Sequence, residues 1–232
     1  MRIAIVGNGR MGKSVATLAL AQGHTIHTVV TSDENARGRA LVLTRLAGSD
    51  VALEFTRPDA VVDNLEKLLE LGIPTVTGTT GWYDALPRVT ACAMEHQGAL
   101  LHSANFSVGV HLFLRAAREL ARLLRGQPEF AASITEEHHS SKRDAPSGTA
   151  LLLQRQIGES DPLRSVPVSS VRQGNVTGTH TLSYTGPHEK ILLSHIAHDR
   201  EAFAAGALLA AQWLPGKTGV FTFEDALFGA TG

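Results

Sequence analysis

Fourteen consecutive residues, Glu136-Glu137-His138-His139-Ser140-Ser141-Lys142-Arg143-Asp144-Ala145-Pro146-Ser147-Gly148-Thr149, bring together a titratable imidazole, a cation and a helix start. If residues 134–139 are extended, His138 and His139 point to opposite faces, so one faces a cleft and the other packs or hydrogen-bonds. Lys142 follows a few loop residues on, near enough to share a pocket. Asp144-Ala145-Pro146 stops the strand. Ser147 can cap the next helix, which leaves the N–H groups of Gly148 and Thr149 and two hydroxyls for an anion. A substrate carboxylate suits that place, with Lys142 as a second charge. Histidine titrates in the range useful to a proton donor. A reduction that moves negative charge onto its acceptor needs such a donor.

A second constellation opens the chain. Gly7-Asn8-Gly9-Arg10-Met11-Gly12 follows the apolar run Ile3–Val6 and precedes Val15, Leu18 and Ala19 at helical spacing. In that context Gly7 permits a tight turn, Gly9 lets the backbone approach a pyrophosphate, and Gly12 allows helix and strand to pack closely. Free N–H groups and the helix dipole then meet the phosphates. The ribose is less determined. The second strand ends Val30-Thr31-Ser32-Asp33-Glu34, so the expected acid arrives late, and Arg10, Arg37 and Arg39 could instead meet a 2′-phosphate. NADH and NADPH both stay open. With the first constellation, this loop implies a nicotinamide-dependent reduction of a small, carboxylated substrate.

Metal chemistry is the rival reading. Glu136, His138, His139, His180 and His195 are all ligand types for zinc. Lys142 would place a positive charge beside the ion, and the helical H-E-x-x-H spacing is absent. No metal is expected.

The elements that must position these residues follow from periodicity. Apolar strand-like runs at Arg2–Val6, 26–30, 51–55, 73–77 and 99–102 alternate with amphipathic helical stretches, notably Val61 to Leu69 with Gly72 as its stop. This rhythm predicts a Rossmann-type doubly wound parallel sheet. After Asn105 it changes: a long helix over 108–124, then strands near 130–138, 166–172, 178–185 and 190–197, alternating as in a sheet with two unlike faces. Residues 158–167 read as a loop, and 201–214 as a final alanine-rich helix. The predicted architecture is α/β, the Rossmann-type sheet joined to a C-terminal α+β domain with a mixed open sheet. Residues 1–105 and 201–232 make the dinucleotide-binding domain, and 106–200 the substrate-binding and oligomerisation domain.

Bulk composition excludes several classes. With 21 Lys+Arg against 22 Asp+Glu and no long basic run, the 232-residue chain carries no field for nucleic acid or an anionic membrane. The single cysteine, Cys92, cannot form an internal disulfide, and no segment is long and apolar enough to span a bilayer. A cytoplasmic location is expected.

The run from Glu136 to Ala150 closely resembles the signature of the dihydrodipicolinate reductase family, and the likeness extends along nearly the whole chain. Gly7–Gly12 is similar to that family's cofactor loop. Glu54-Phe55-Thr56-Arg57-Pro58 and Gly78-Thr79-Thr80-Gly81 resemble its nicotinamide-side loops, and Asn105-Phe106-Ser107-Val108-Gly109 its hinge. Arg172-x-Gly174, Gly178-x-His180, His195-x-Ala197-x-x-Arg200 and Phe203-Ala204-x-Gly206-Ala207 follow in the family's order. The resemblance implies NADPH- or NADH-dependent reduction of 4-hydroxy-tetrahydrodipicolinate in lysine and diaminopimelate biosynthesis. It implies His138 as proton donor with Lys142 assisting, and His139, Ser147, Gly148, Thr149 and Arg200 around the substrate. Gly7, Asn8, Gly9, Arg10, Met11, Gly12, Asp33, Gly78, Thr79, Thr80, Ser103 and Phe106 would hold the cofactor. It further implies a homotetramer built on the C-terminal sheets, with domains that close over their ligands. Two features depart from the pattern. The cofactor loop is one residue shorter than in many members, and Ala104 stands where a proline often precedes the asparagine.

Two other readings compete. A nucleotide-sensing module would have let His138, Lys142 or the Ser-Gly-Thr turn decay, and all are present. A related two-domain dehydrogenase could act on another imine or on an amino-acid semialdehyde; a nucleophilic cysteine would support the phosphorylating semialdehyde type, and Cys92 sits in a helical stretch remote from the signature.

Overall fold

The computed structural model describes residues 1–199 and 201–229. Two compact units emerge, Met1–Ser107 with Glu201–Gly232, and Val108–Arg200.

The first unit is built on a parallel sheet of β1 (Arg2–Val6), β2 (Thr25–Val30), β3 (Val51–Glu54), β4 (Thr75–Thr77), β5 (Ala99–His102) and β10 (Gly219–Thr222), in the order β10-β5-β4-β3-β1-β2. β1 pairs with both β2 and β3. The chain therefore reverses direction across the sheet between these strands, and the crevice outside their carboxyl ends is where such sheets take ligands. The strands read as apolar runs because helices cover both faces; every residue of β3 is buried. The helices are α1 (Arg10–Ala21), the single turn α2 (Leu43–Leu46), α3 (Val61–Glu70), α4 (Leu86–Glu95), α7 (Glu201–Trp213) and α8 (Phe223–Phe228). β10 and α8 were not foreseen. The strand has only four residues, and a capping box at Thr222 and Asp225 starts the helix directly behind it.

The second unit is a four-stranded sheet, β7-β6-β8-β9, made from β6 (Ala131–His138), β7 (Val168–Arg172), β8 (Gly178–Thr185) and β9 (Lys190–Ala197). β6 runs parallel to β7 and antiparallel to β8, so the sheet is mixed. Helices α5 (Val108–Leu123) and α6 (Gly148–Ser160) cover one face, with Phe113, Leu114, Leu153 and Ile157 packed on Ile134, Leu182 and Tyr184. Truncating one such side chain, Leu153 for example, costs about 2–5 kcal/mol. On the open face Leu192 and Ile196 remain exposed. α6 runs to Ser160, so residues 158–160, read from sequence as loop, are helical. Gly158 is tolerated there because a helix-interior glycine costs only about 1 kcal/mol.

Candidate active site

At the crevice of the first unit, β1 and β3 end against each other. Gly7 has φ of +100°, and a Cβ on it would lie 2.2 Å from the Phe55 carbonyl oxygen. A Cβ on Gly12 would lie 2.0 Å from the Gly7 carbonyl oxygen, whereas one on Gly9 would meet nothing within 4 Å. Two of the three glycines are thus demanded by the turn itself, and the third leaves open space before the helix. Gly9 is the N-cap of α1 and no side chain caps it. Its bare N–H groups, flanked by exposed Asn8 and Arg10 and half-buried Met11, form a fitting cradle for a pyrophosphate.

The neighbouring loops are tied by one residue. Glu54, the last of β3, is wholly buried. Its Oε2 accepts from Thr77 Oγ1 at 2.6 Å and Thr79 Oγ1 at 2.8 Å, and its Oε1 accepts from the Thr56 hydroxyl and from Thr56 N at 3.2 Å. Burial pushes the carboxyl above its ordinary range, against the pull of these donors. Gly78 approaches Phe55 so closely that a Cβ would lie 2.3 Å from the ring. Of the residues expected at the nicotinamide, Thr80 is exposed, while Thr79 is engaged with Glu54. Ser103 Oγ donates to the Asn105 carbonyl at 2.5 Å, and Phe106 packs edge-on to Phe55 and Phe223. Asp33 is exposed; the neighbouring Glu34 caps Thr31 N at 2.7 Å and pairs with Arg45 at 2.9 Å.

In the second unit the period of β6 places Ile134, Glu136 and His138 on the helix-covered side. Sheet register then assembles a polar row: Ser170 on β7, Glu136, His180 on β8 and His195 on β9 lie successively opposite one another, with Arg172 opposite His138. Glu136 Oε1 accepts from Arg172 at 2.6 Å and from Ser147 N at 3.3 Å, and Oε2 meets His138 Nδ1 at short range. Burial alone would raise this carboxyl, but the bonds from Arg172, Ser170 and His138 prevail and hold it at about 2. An ionised carboxylate only accepts, so His138 Nδ1 carries the proton. The opposite ring nitrogen, Nε2, lies 3.0 Å from where a Cβ on Gly178 would stand. Glycine leaves that nitrogen room.

Burial lowers the His138 pKa, Glu136 raises it, and the charges of Lys142 and Arg172 lower it further. Lys142 itself pairs with Asp144 at 2.8 Å. His139 Nδ1 lies 2.8 Å from Ser141 Oγ. Ser147 caps α6, its Oγ accepting from Ala150 N at 3.3 Å and lying 3.1 Å from His180 Nε2. The preceding N–H groups, on Gly148 and Thr149, have no intrahelical acceptor. Arg200 lies outside the described residues.

From sequence, Glu136 and His180 stand as zinc-ligand types and as members of family motifs, and Arg172 as part of a motif; none is assigned a role at the acid. Strand register was the missing signal. Ligand atoms of Glu136, His138 and His180 do lie within 4.8 Å of one another. The Arg172 guanidinium already neutralises the carboxylate, which opposes a second cation there. Cys92 is no nucleophile in waiting: burial and then Glu66 push its thiol pKa up.

Comparison with known proteins identifies the family. The family profiles "Dihydrodipicolinate reductase, N-terminus" and "Dihydrodipicolinate reductase, C-terminus" match residues 1–106 and 109–227. A 4-hydroxy-tetrahydrodipicolinate reductase of Christiangramia forsetii is 34% identical over 238 residues, covering 98% of each chain. One from Thiobacillus denitrificans is 34% identical over 266 residues, also covering 98% of each. The solved dipicolinate-bound dihydrodipicolinate reductase of Paenisporosarcina sp. TG-14 shares the fold, with a TM-score of 0.82 at 20% identity over 98% of this chain and 100% of that one. No helix among the described residues is long and apolar enough to cross a membrane. With both profiles matched and relatives a third identical from end to end, the chain belongs to the dihydrodipicolinate reductase family, NAD(P)H-dependent oxidoreductases that act on 4-hydroxy-tetrahydrodipicolinate in lysine and diaminopimelate biosynthesis.

Proposed function

We propose that the two units divide the reaction. Residues 1–105 and 201–232 hold the nicotinamide nucleotide, with the N–H groups behind Gly9 on the pyrophosphate and the Gly78–Thr80 loop toward the nicotinamide. When bound, that cofactor supplies the hydride. Residues 106–200 hold the cyclic dicarboxylate and complete its protonation. Ser147, Gly148 and Thr149 receive one carboxylate at the start of α6, with Lys142 and Arg200 as cationic contacts and His139 at the margin. His138 gives its proton as negative charge develops on the substrate, and Lys142 assists. A histidine whose pKa is lowered is a readier acid, provided it is protonated when substrate arrives. Lys142 beside a carboxylate site also lowers the energy of that charge.

The observation that carries this reading is the joining of acid and cradle. The Glu136 carboxylate touches both the His138 ring and the backbone of Ser147, which supports a proton donor and an anion site tied through one side chain. The open sheet face, with Leu192 and Ile196 exposed, supports assembly into a homotetramer through this unit. The location is cytoplasmic.

The test is a coupled assay in which pyruvate and aspartate semialdehyde are condensed in place by the preceding synthase. Oxidation of NADH or NADPH that requires both precursors is the expected result, and the ratio of rates ranks the two cofactors. A folded protein that binds nucleotide yet oxidises neither contradicts the reading.

A further inference from the structure

We propose that Glu136 is a positioning residue for proton transfer: buried and clamped by Arg172, it fixes the tautomer and aim of His138 and couples that ring to the start of α6. The proposal rests on His138 being the proton donor.

Three features of the geometry carry it. First, Glu136 has no solvent exposure, and its bonds point in three different directions, to β7, to the ring and to the 139–147 turn. Arg172 Nη2 also reaches the Asp144 carbonyl oxygen at 2.6 Å, so the same cation braces the turn that carries Lys142. Second, with Nδ1 bound to the carboxylate, only Nε2 remains to deliver a proton, on the side that Gly178 keeps clear. Third, the charges facing His138 are unbalanced without Glu136. Arg172 lies opposite on β7, His180 and then His195 on β8 and β9, and Lys142 with its partner Asp144 on the following turn. Among the described residues Glu136 is the one carboxylate bonded to the ring. Taking away its charge leaves the imidazolium among cations, and the ring loses its proton at lower pH.

The test is a double-mutant cycle on the intact protein in the coupled assay, with Glu136→Gln, His138→Gln and the pair. Glu136→Gln should lower kcat by about 10-fold or more, toward the roughly 10⁴-fold lost when a catalytic histidine loses its orienting carboxylate, with KM little changed. It should also move the alkaline limb of the kcat–pH profile to lower pH. Glu136→Asp, which keeps the charge, should restore the limb's position. In the His138→Gln background the same substitution should change kcat little, because the two act as a unit. An equal loss in both backgrounds overturns the inference and leaves His138 as donor. Wild-type kcat in His138→Gln removes the donor itself, a separate and recognisable failure. Should Glu136→Gln not fold, imidazole ¹⁵N shifts of the wild-type protein decide the matter. The Nδ1–H tautomer at His138 supports the proposal, and the Nε2–H tautomer overturns it.

Discussion

Ser147 and His180 stand 33 positions apart in sequence, yet Ser147 Oγ lies 3.1 Å from His180 Nε2. This contact joins the helix that would receive a substrate carboxylate to β8, one of the two inner strands of the second sheet. Because Oγ already accepts from Ala150 N, its own proton is available to the imidazole. One hydroxyl therefore caps α6 and buttresses it against β8.

Ser147→Ala removes both roles. It should cost about 1 kcal/mol of stability through the lost cap and raise KM for the dicarboxylate well above the change in kcat. Denaturant titration and steady-state kinetics check the two effects separately. An unchanged KM would place the carboxylate elsewhere.

His180 makes stability depend on pH. Burial first, then the neighbouring His138 and His195, hold it at about 4 against an ordinary 6.5. Between those values the unfolded chain binds a proton that the folded chain does not, so this contribution is complete above about pH 6.5 and is lost as pH falls toward 4. Melting temperature should decline over that window, and His180→Gln should flatten the decline. Glu136, lowered to about 2, adds a second loss further down, below 4.5.

Lys142→Ala should reduce kcat about 100-fold while the nucleotide dissociation constant stays within about twofold, since the lysine belongs to the second unit and its partner is Asp144. Parallel loss of both, measured by titration calorimetry beside kinetics, would mark Lys142 as structural.

Glu54 predicts the reverse pattern. Glu54→Ala leaves the buried hydroxyls of Thr77 and Thr79 without their acceptor and should destabilise the protein by about 3 kcal/mol or more. Glu54→Gln, which keeps one carbonyl acceptor, should cost less and weaken nucleotide binding more than it changes kcat. Chemical denaturation and nucleotide titration distinguish these outcomes.

Much of this arrangement was legible in the chain because it is local. The Gly7–Gly12 turn, the paired histidines and the Ser147 cap each depend on residues within a few positions. The strands of the second unit were readable because one face is open, so that Ile134, Glu136 and His138 alternate with outward residues. What escaped depends on register. Glu136 meets Arg172 and His180 only because β6 pairs with β7 and β8 at one particular offset, and no local pattern encodes that offset. Glu54 escaped for the same reason. Its partners Thr77 and Thr79 arrive from the end of the next strand and the loop behind it, and a lone acid in an apolar run gives no sign of them. At the ribose end Glu34 is tied to Thr31 N and Arg45, while Asp33, the acid expected there, stays exposed.

The most direct test of the account is the pH dependence of kcat for the wild type and for His138→Gln. With His138 as donor, wild-type kcat falls as pH rises through its pKa. The variant should lose about 100-fold or more, together with that alkaline limb, while KM changes by only a few-fold. A variant that keeps the wild-type rate and the same alkaline limb would contradict the assignment of His138 and, with it, the role given to Glu136.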